Sequence, residues 1–299
     1  MMTEELYNDY TKCLLYPTYA IEKYFRLHDS NGRDIPFKLN ENQKRLVNYL
    51  SIYRFNIAKI SRGVGASSIL AAWTAAKLAF SDFENPELIS YVTHNLSSGE
   101  NFLSKVKVYL RFIPRWVWGE EYVNDPTKNI FNREKKREFS LPNRSMLKTP
   151  LPTPDGFRGW TPTHLIIDNA AYISNGLEMF SAMMTVIGSR RDSNMTIVST
   201  PSSKDTFFKR VYDDSMSMKN QFSVIDMLWP YDSKFNEGLV WNKDGETVYE
   251  EDFTEKSISM MLYNQWKPTS PWYEEITSRY AQAPNYLDQE YNGIFVPIG

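Results

Sequence analysis

Short apolar runs and longer helical patterns alternate along most of this chain. Phe55–Ile60 is a short, mainly apolar run, as expected of a strand buried on both faces of a parallel sheet. Residues 69–80 follow it, rich in Ala and Leu and without Gly or Pro, which predicts a helix. The same order recurs downstream, with predicted strands at 87–92, 165–167, 195–198 and 222–229 and predicted helices beginning near 97 and spanning 177–187 and 205–212. The alternation predicts one α/β domain with a mostly parallel central sheet and helices on both faces.

The segments outside this alternation are less regular. Residues 1–40 predict an N-terminal appendage of one or two short helices, and residues 41–299 predict the main domain. The remaining patterns are weaker and predict a hairpin over 139–148, an exposed turn or strand edge over 133–138, a loop-rich excursion over 230–251 and two flanking helices over 253–266 and 272–281.

Composition and charge restrict the class of protein. With 299 residues, 42% hydrophobic and 15% aromatic, the chain is long and apolar enough to bury a full core. Its net charge of -2 gives no global basic field, so contact with nucleic acid requires a local patch. The single cysteine, Cys13, excludes an intrachain disulfide and cysteine-rich zinc sites. The acidic N-terminus and the lack of an apolar run of about 20 residues predict an intracellular protein without a membrane span.

A glycine- and serine-rich loop separates the first predicted core strand from its helix. Gly63 and Gly65 allow the backbone to turn its N–H groups inward, and the helix N-terminus adds a partial positive charge. Ser67 stands where a phosphate-binding P-loop places its hydroxyl ligand for Mg²⁺. Ala66, however, stands where the P-loop has lysine, and Ile60 stands where it has its first glycine. The loop is therefore either a deviant phosphate site or a strand-to-helix turn without a ligand.

A second candidate group follows the predicted strand 165–167. Asp168 comes directly after it, at the carboxyl edge where an open α/β sheet binds its ligand. In an NTPase an aspartate here holds the Mg²⁺ shell, and the next residue is often a glutamate that activates water. Here the next residue is Asn169, whose amide can orient a water but accepts a proton poorly. An ordinary turn or helix-cap aspartate is the alternative.

Three further groups have both a functional and a structural interpretation. Gln43 precedes the first core strand, where its amide can pair with an adenine edge or simply cap a helix. Ser199 and Thr200 follow the strand 195–198, where hydroxyls can sense a γ-phosphate or cap the next helix. The helix that begins near 97 carries cations that can contact a phosphate backbone or lie on a solvated face, namely Lys105, Lys107 and Arg111.

Together these stretches resemble the ATPase domain of the large terminase subunit of tailed phages, the motor that packages DNA. The matching segments are the lead-in at Gln43, the loop SRGVGASS, the segment LISYVTHNLSSGE, GFRG ahead of LIIDNAA, then STPSS and the closing QEYNGIF. The resemblance implies a P-loop NTPase fold that binds ATP and Mg²⁺. It implies catalytic roles for Arg62, Arg158, Asp168 and Asn169, metal binding by Ser67 and Asp168, and nucleotide contacts from Gln43, Ser61, Gly63, Gly65, Ala66, Ser67, Ser68, Ser199 and Thr200.

The resemblance also implies partners and a place of action. The partners are double-stranded DNA, the portal protein and the small terminase subunit, and the protein is expected to form a homo-oligomeric ring on the portal in the host cytoplasm. The nuclease domain that follows in this family is not expected here, because the chain ends at Gly299.

Ala66 and Asn169 leave the activity open. A deviant loop can take its cation from Arg62 or Lys59, or the chain can be a natural pseudo-ATPase that docks on the portal or small subunit, or the enzyme has been disabled deliberately. A helicase-type remodeller shares the sheet and is a weaker alternative. The candidate replacements for the missing glutamate are Glu178, which we place first, and then Asp155 and Asp192.

Overall fold

The computed structural model describes residues 3–29, 31–157, 159–202, 206–249 and 254–296. Its strands form an eight-stranded sheet, a three-stranded sheet and a two-stranded hairpin. In chain order they are β1 (Arg26–His28), β2 (Asp34–Pro36), β3 (Phe55–Ile60), β4 (Leu88–Thr93), β5 (Asn132–Lys135), β6 (Glu138–Ser140), β7 (Met146–Lys148), β8 (His164–Asp168), β9 (Asn194–Ser199), β10 (Ser223–Met227), β11 (Val240–Lys243), β12 (Glu246–Tyr249) and β13 (Lys267–Thr269). The α-helices are α1 (Glu4–Leu15), α2 (Pro17–Tyr24), α3 (Glu41–Ile52), α4 (Ala66–Ala79), α5 (Leu96–Arg111), α6 (Glu120–Asn124), α7 (Gly176–Gly188), α8 (Phe207–Met216), α9 (Glu255–Tyr263), α10 (Pro271–Arg279) and α11 (Pro284–Glu290).

The eight-stranded sheet has the order β10-β3-β9-β8-β4-β7-β6-β5. Neighbours from β10 to β7 are parallel, and β6 and β5 extend one edge in antiparallel pairing. The predicted mostly parallel sheet is confirmed, and so is the hairpin over 139–148, which forms β6 and β7. Parallel strands end at the same edge of a sheet, so the turns after β3, β8 and β9 meet there. These are the turns that carry the candidate site residues.

Helices cover both faces of this sheet, because the central strands divide their apolar side chains between two cores. On β3, Ala58 and Ile60 belong to the core beneath α1 to α5, whereas Ile57 belongs to the core beneath α7 and α8. On β8, Ile166 and Ile167 divide in the same way. A strand buried on both faces needs apolar residues at successive positions, which is why these strands read as continuous apolar runs. The predicted helices on both faces are thereby confirmed.

Helix α4 holds the glycine loop in place. It is buried around its whole circumference, and the side chains from Ile69 to Trp73 are at most 1% exposed. A helix that is apolar on all sides is stable only in the interior of a protein, and α4 contacts α1, α2, α3 and α5. Because small alanines let these neighbours approach closely, α4 cannot shift without disturbing four helices. Its N-terminus is therefore fixed at the carboxyl edge of the sheet.

The N-terminal residues pack against the same core. Helices α1 and α2 both contact α4, and Tyr10 donates a hydrogen bond to the carbonyl of Ser81 at 2.9 Å. Asp9 is 7% exposed and accepts hydrogen bonds from Tyr19, Tyr24 and Lys23. The one or two short helices predicted before residue 40 are confirmed, and the β1–β2 hairpin follows them.

The loop predicted over 230–251 was wrong for part of its length. Strands β11 and β12 form a hairpin there, and β13 pairs with β11 to complete the three-stranded sheet. The turn residues Asp244 and Gly245 have φ of 50° and 87°, the positive values that a tight hairpin turn requires and that Asp-Gly adopts readily. On either side of this turn, Trp241 and Val248 alternate with polar residues. This alternation is a strand signal, and the loop interpretation did not use it. Helix α9 ends at Tyr263, before the predicted helix end at 266.

Candidate functional site

The loop between β3 and α4 has the geometry of an anion site. Gly63 and Gly65 have φ of 89° and 82°, which residues with a Cβ adopt only with strain. A Cβ on Gly65 would also lie 3.3 Å from Nε2 of Gln43, a tight contact that the flexible Gln43 side chain would have to relieve by a small shift. Gly65 caps α4 without a side-chain hydrogen bond. The first N–H groups of α4 and its positive dipole end are therefore presented to the loop.

A cavity of about 640 Å³ opens above this loop. Its wall includes Arg62, Gly65 and Ser67 from the loop and helix start, together with Asn169 after β8 and Thr200 after β9. The structure thus brings together predicted residues from three separate turns at one edge of the sheet. Gly63, Ser61, Ala66 and Ser68 line the same cavity. Its size suits a small-molecule ligand such as a nucleotide.

Ser67 and Asp168 form the centre of the site. The hydroxyl of Ser67 donates to Oδ2 of Asp168 at 2.8 Å, and Asp168 is only 1% exposed. The backbone N–H of Asn169 donates to Oδ1 of the same carboxylate at 2.9 Å. Because the Ser67 hydroxyl directs its proton toward Asp168, its oxygen lone pairs are left for a cation at the cavity side. A hydroxyl and a carboxylate are ligands of the kind that Mg²⁺ prefers, so this pair fits the metal that the sequence implied.

Tyr91 on β4 is a third partner of Asp168, and sequence reasoning did not identify it. Its phenol donates to Oδ2 of Asp168 at 2.6 Å. Burial, together with the nearby Asp168 charge, raises the pKa of Tyr91 well above its usual value, so the phenol stays protonated and keeps donating. Asp168 is therefore held in one orientation from two sides. The pairing of β4 with β8 creates this contact, and no spacing in the sequence reports it.

Arg62 is held by the C-terminal helix α11. Its Nη1 lies 3.1 Å from Oε2 of Glu290 and 3.2 Å from the hydroxyl of Tyr286, and its backbone N–H donates to the carbonyl of Glu290 at 2.6 Å. The hydrogen bond to Glu290 raises the pKa of Arg62, which remains a cation. Lys59, the other candidate cation, lies 3.6 Å from Asp226 and over the ring of Tyr212.

Glu290 joins the loop to the turns after β8 and β9. Besides Arg62, it accepts hydrogen bonds from the hydroxyls of Tyr172 at 3.0 Å and Thr200 at 3.5 Å, and it is 6% exposed. Sequence reasoning assigned no role to Glu290, although it lies in the quoted segment QEYNGIF. Its separation from Arg62 by 228 positions left no local signal that could pair them.

The remaining predicted nucleotide contacts have structural partners in this state. Ser61 donates to the carbonyl of Tyr291 and accepts from the N–H of Trp229. Ser199 is fully buried and accepts from the N–H of Ala171 at 3.1 Å, which supports the turn after Asp168. Gln43 completes a capping box with Asn40, and its Nε2 also donates to the carbonyl of Val64 at 3.3 Å. The capping interpretation of Gln43 is therefore confirmed, and its contact with an adenine stays a prediction.

A comparison with known protein families identifies the family of this chain. The family described as "Terminase large subunit, T4likevirus-type, N-terminal" matches residues 57–297, well over half of the chain. The chain belongs to this family. Terminase large subunits act on DNA in phage packaging, as the resemblance implied.

Solved structures of large terminases share the fold. The large terminase of bacteriophage HK97 aligns with a TM-score of 0.62 at 13% identity, over 96% of this chain and 55% of that one. The large terminase ATPase domain of Thermus phage P74-26 aligns with a TM-score of 0.54 at 16% identity, over 87% of this chain and 95% of that one. The large terminase of another thermophilic bacteriophage, solved in complex with ADP, aligns with a TM-score of 0.54 at 10% identity, over 87% of this chain and 54% of that one. This chain thus spans about half the length of the HK97 protein and of the ADP-bound terminase.

In this terminase chain, Asn169 occupies a backbone conformation that suits asparagine. Its φ of 55° and ψ of 40° lie in the left-handed region, which Asn and Asp tolerate better than other residues with side chains. Its side chain lines the cavity beside Ser67. The turn after Asp168 thus has a backbone conformation that its asparagine accommodates.

The three candidate replacements for the missing glutamate lie in different places. Asp192 precedes β9 and pairs with Arg190 at 2.7 Å, so it lies at the amino edge of the sheet, opposite the cavity. Asp155 and Glu178 are exposed, and Glu178 lines a neighbouring cavity with Thr206. Asn175 precedes α7 but makes no side-chain capping hydrogen bond. Two further predicted residues, Arg158 and Ser203, lie outside the described residues.

Proposed function

We propose that this chain is the ATP-binding motor domain of a phage DNA-packaging machine, which drives double-stranded DNA into a procapsid. The observation that carries the proposal is the Ser67–Asp168 pair, 2.8 Å apart at the mouth of a glycine loop. A hydroxyl at a helix N-terminus beside a buried carboxylate is the arrangement that P-loop ATPases use for Mg²⁺ and phosphate. The thermophilic-phage terminase solved with ADP supports nucleotide as the ligand.

The residues of this chain have distinct tasks in this proposal, in which the loop is the Walker A segment and the Asp168 turn is the Walker B segment. The N–H groups of the loop and the start of α4 bind phosphate oxygens, as helix N-termini do. Ser67 and Asp168 would hold Mg²⁺, which neutralises phosphate charge. Asn169 orients a water molecule. Thr200 senses the γ-phosphate, so that the turn after β9 responds to it. Arg158 would grip DNA or sense the nucleotide, and Gln43 would contact the adenine.

The partners follow from the same proposal. Double-stranded DNA is the substrate, the portal and the small terminase subunit are the docking partners, and copies of the chain form a ring on the portal in the host cytoplasm. Among the described helices, none combines the length and apolar character that crossing a bilayer requires.

A second candidate function is a pseudo-ATPase that binds nucleotide or a partner without turnover. Three observations favour it over the helicase-type alternative: Ala66 replaces lysine, Asn169 replaces glutamate, and Arg62 is paired with Glu290. Turnover of ATP separates the two functions, since the motor requires it and the docking module does not.

The decisive experiment is calorimetry with ATP in the presence and absence of Mg²⁺. We expect binding by the unaltered chain that depends on Mg²⁺, and loss of that dependence in Ser67→Ala and Asp168→Asn. Ser104→Ala is the control, because Ser104 is an exposed serine on α5 whose hydroxyl donates only to Glu100 within its own helix. Absence of ATP binding in the unaltered chain would refute the proposal.

A further inference from the structure

Lysine is missing from the loop, but another lysine reaches the same place from a different helix. Nζ of Lys105, on α5, donates to the hydroxyl of Ser68 at 3.1 Å. Ser68 lies in the first turn of α4 and forms part of the cavity wall. The ammonium group therefore contacts a hydroxyl of a residue that lines this cavity. The proposed function assigns the cavity to nucleotide phosphates.

The position of Lys105 follows from helix packing. Helices α4 and α5 lie side by side on one face of the sheet. On α5, Phe102, Val106 and Tyr109 are buried in the shared core. Lys105 precedes Val106, so its stem lies beside that apolar stripe while its ammonium group extends to the N-terminus of α4.

The charge of Lys105 is not matched by a direct ion-pair partner. Among the described residues, no carboxylate lies within 4.0 Å of its Nζ, whereas Lys107, two positions later, pairs with Glu134 at 2.6 Å. Burial lowers the pKa of Lys105, and the charge of Asp168 offsets part of that effect. A half-buried cation without a paired anion is stabilised when an anionic ligand arrives.

We infer that Lys105 supplies the phosphate-binding cation that the loop lacks at Ala66. The ligand is the phosphate chain of a nucleoside triphosphate, and the inference rests on the proposed function of the cavity. In this arrangement the ammonium group approaches from α5, past Ser68, instead of from the first turn of α4. Ala66 then leaves room at the start of α4, because it carries no side chain long enough to compete for the phosphate.

The inference is tested by comparing MgATP binding among four variants of the full chain. Lys105→Ala should raise the dissociation constant by roughly 10- to 100-fold, as expected for loss of a charged hydrogen bond. Lys105→Arg should retain part of the affinity. Arg111→Ala is the matched control, a cation removed from the exposed face of the same helix, and should change the affinity less than about twofold. The double variant Lys105→Ala/Ala66→Lys should recover binding, because the new lysine returns the charge from the loop.

Each outcome has a separate meaning. Equal binding by Lys105→Ala and the unaltered chain would overturn the role of Lys105 and leave the nucleotide site standing. Loss of binding in Lys105→Ala without recovery in the double variant would also overturn it, since Lys105 would then act by positioning Ser68. Absence of MgATP binding in the unaltered chain would refute the proposed function and this inference together. Thermal unfolding without nucleotide must give the variants similar midpoints, and Lys105→Gln replaces Lys105→Ala if it does not.

Discussion

Nη1 of Arg62 lies 3.1 Å from Oε2 of Glu290, although 228 positions separate the two residues. Arg62 belongs to the loop that would bind phosphate, and Glu290 ends the last helix of the described chain. A phosphate that enters the cavity therefore competes with Glu290 for the same guanidinium. Glu290 also accepts hydrogen bonds from Tyr172 and Thr200. Release of Arg62 would therefore change the contacts of Glu290 with the turns after β8 and β9.

The first prediction concerns this competition. Glu290→Gln should tighten MgATP binding by roughly two- to fivefold, because an amide holds the exposed guanidinium less strongly than a carboxylate does. Glu275→Gln is the matched control, since Glu275 on α10 pairs with Arg279 outside the cavity. Titration calorimetry measures both. Weaker binding in Glu290→Gln would mean that Glu290 positions Arg62 for the phosphate instead of withholding it.

The second prediction separates the two cations near the loop. Arg62→Ala should weaken MgATP binding at least about tenfold, because it removes a charged contact with phosphate. Lys59→Ala should leave the affinity nearly unchanged, since Lys59 is directed to Asp226 and Tyr212 on another side of β3. Fluorescence titration with a labelled ATP analogue measures both. If neither change matters, the interpretation in which the loop takes its cation from Arg62 or Lys59 fails.

The third prediction is that this chain by itself hydrolyses ATP more slowly than a variant that carries the lysine and the glutamate. Asn169 offers no basic oxygen, and general-base catalysis typically contributes about 10²- to 10⁴-fold. Ala66→Lys/Asn169→Glu should increase steady-state phosphate release with DNA present. Because Glu is strained at the φ of 55° that Asn169 adopts, Ala66→Lys/Asn169→Asp is the matched companion. Equal, fast release by the unaltered chain and the double variant would show that another residue serves as the base.

The fourth prediction concerns acid stability and is independent of the site. Burial alone would raise the pKa of Glu87, but the hydrogen bond and charge of His164 and the charge of Lys77 outweigh it and lower the pKa well below 4.5. A lowered carboxyl pKa means that the folded protein binds fewer protons than the unfolded chain, so this stabilisation is complete above pH 4.5 and is lost as the pH falls below it. Glu87→Gln should lower the free energy of unfolding by roughly 1.5–3 kcal/mol near neutral pH. Below pH 4.5 the stability of this variant should fall less steeply than that of the unaltered chain. Denaturant unfolding between neutral and acid pH measures this, with the exposed Glu84→Gln as control; parallel curves for the two variants would contradict it.

Local pattern determined much of the fold and part of the site. The apolar run that forms β3, the glycine loop, and Asp168 directly after β8 are features of adjacent residues, and each was predicted from composition and spacing. The same holds for the family resemblance, which rests on short segments in a fixed order. The Asp244–Gly245 turn is an equally local signal. The hairpin was interpreted as a loop because this turn signal was given too little weight.

The tertiary structure decided which of these segments meet. Lys105 reaches Ser68 because α5 docks on α4, Tyr91 reaches Asp168 because β4 pairs with β8, and Glu290 reaches Arg62 because α11 closes on the loop. Periodicity reports which face of a strand or helix is buried, but it does not report against which neighbour. Each of these contacts joins side chains from elements far apart in the chain, and only the packing of whole elements brings them within hydrogen-bond distance.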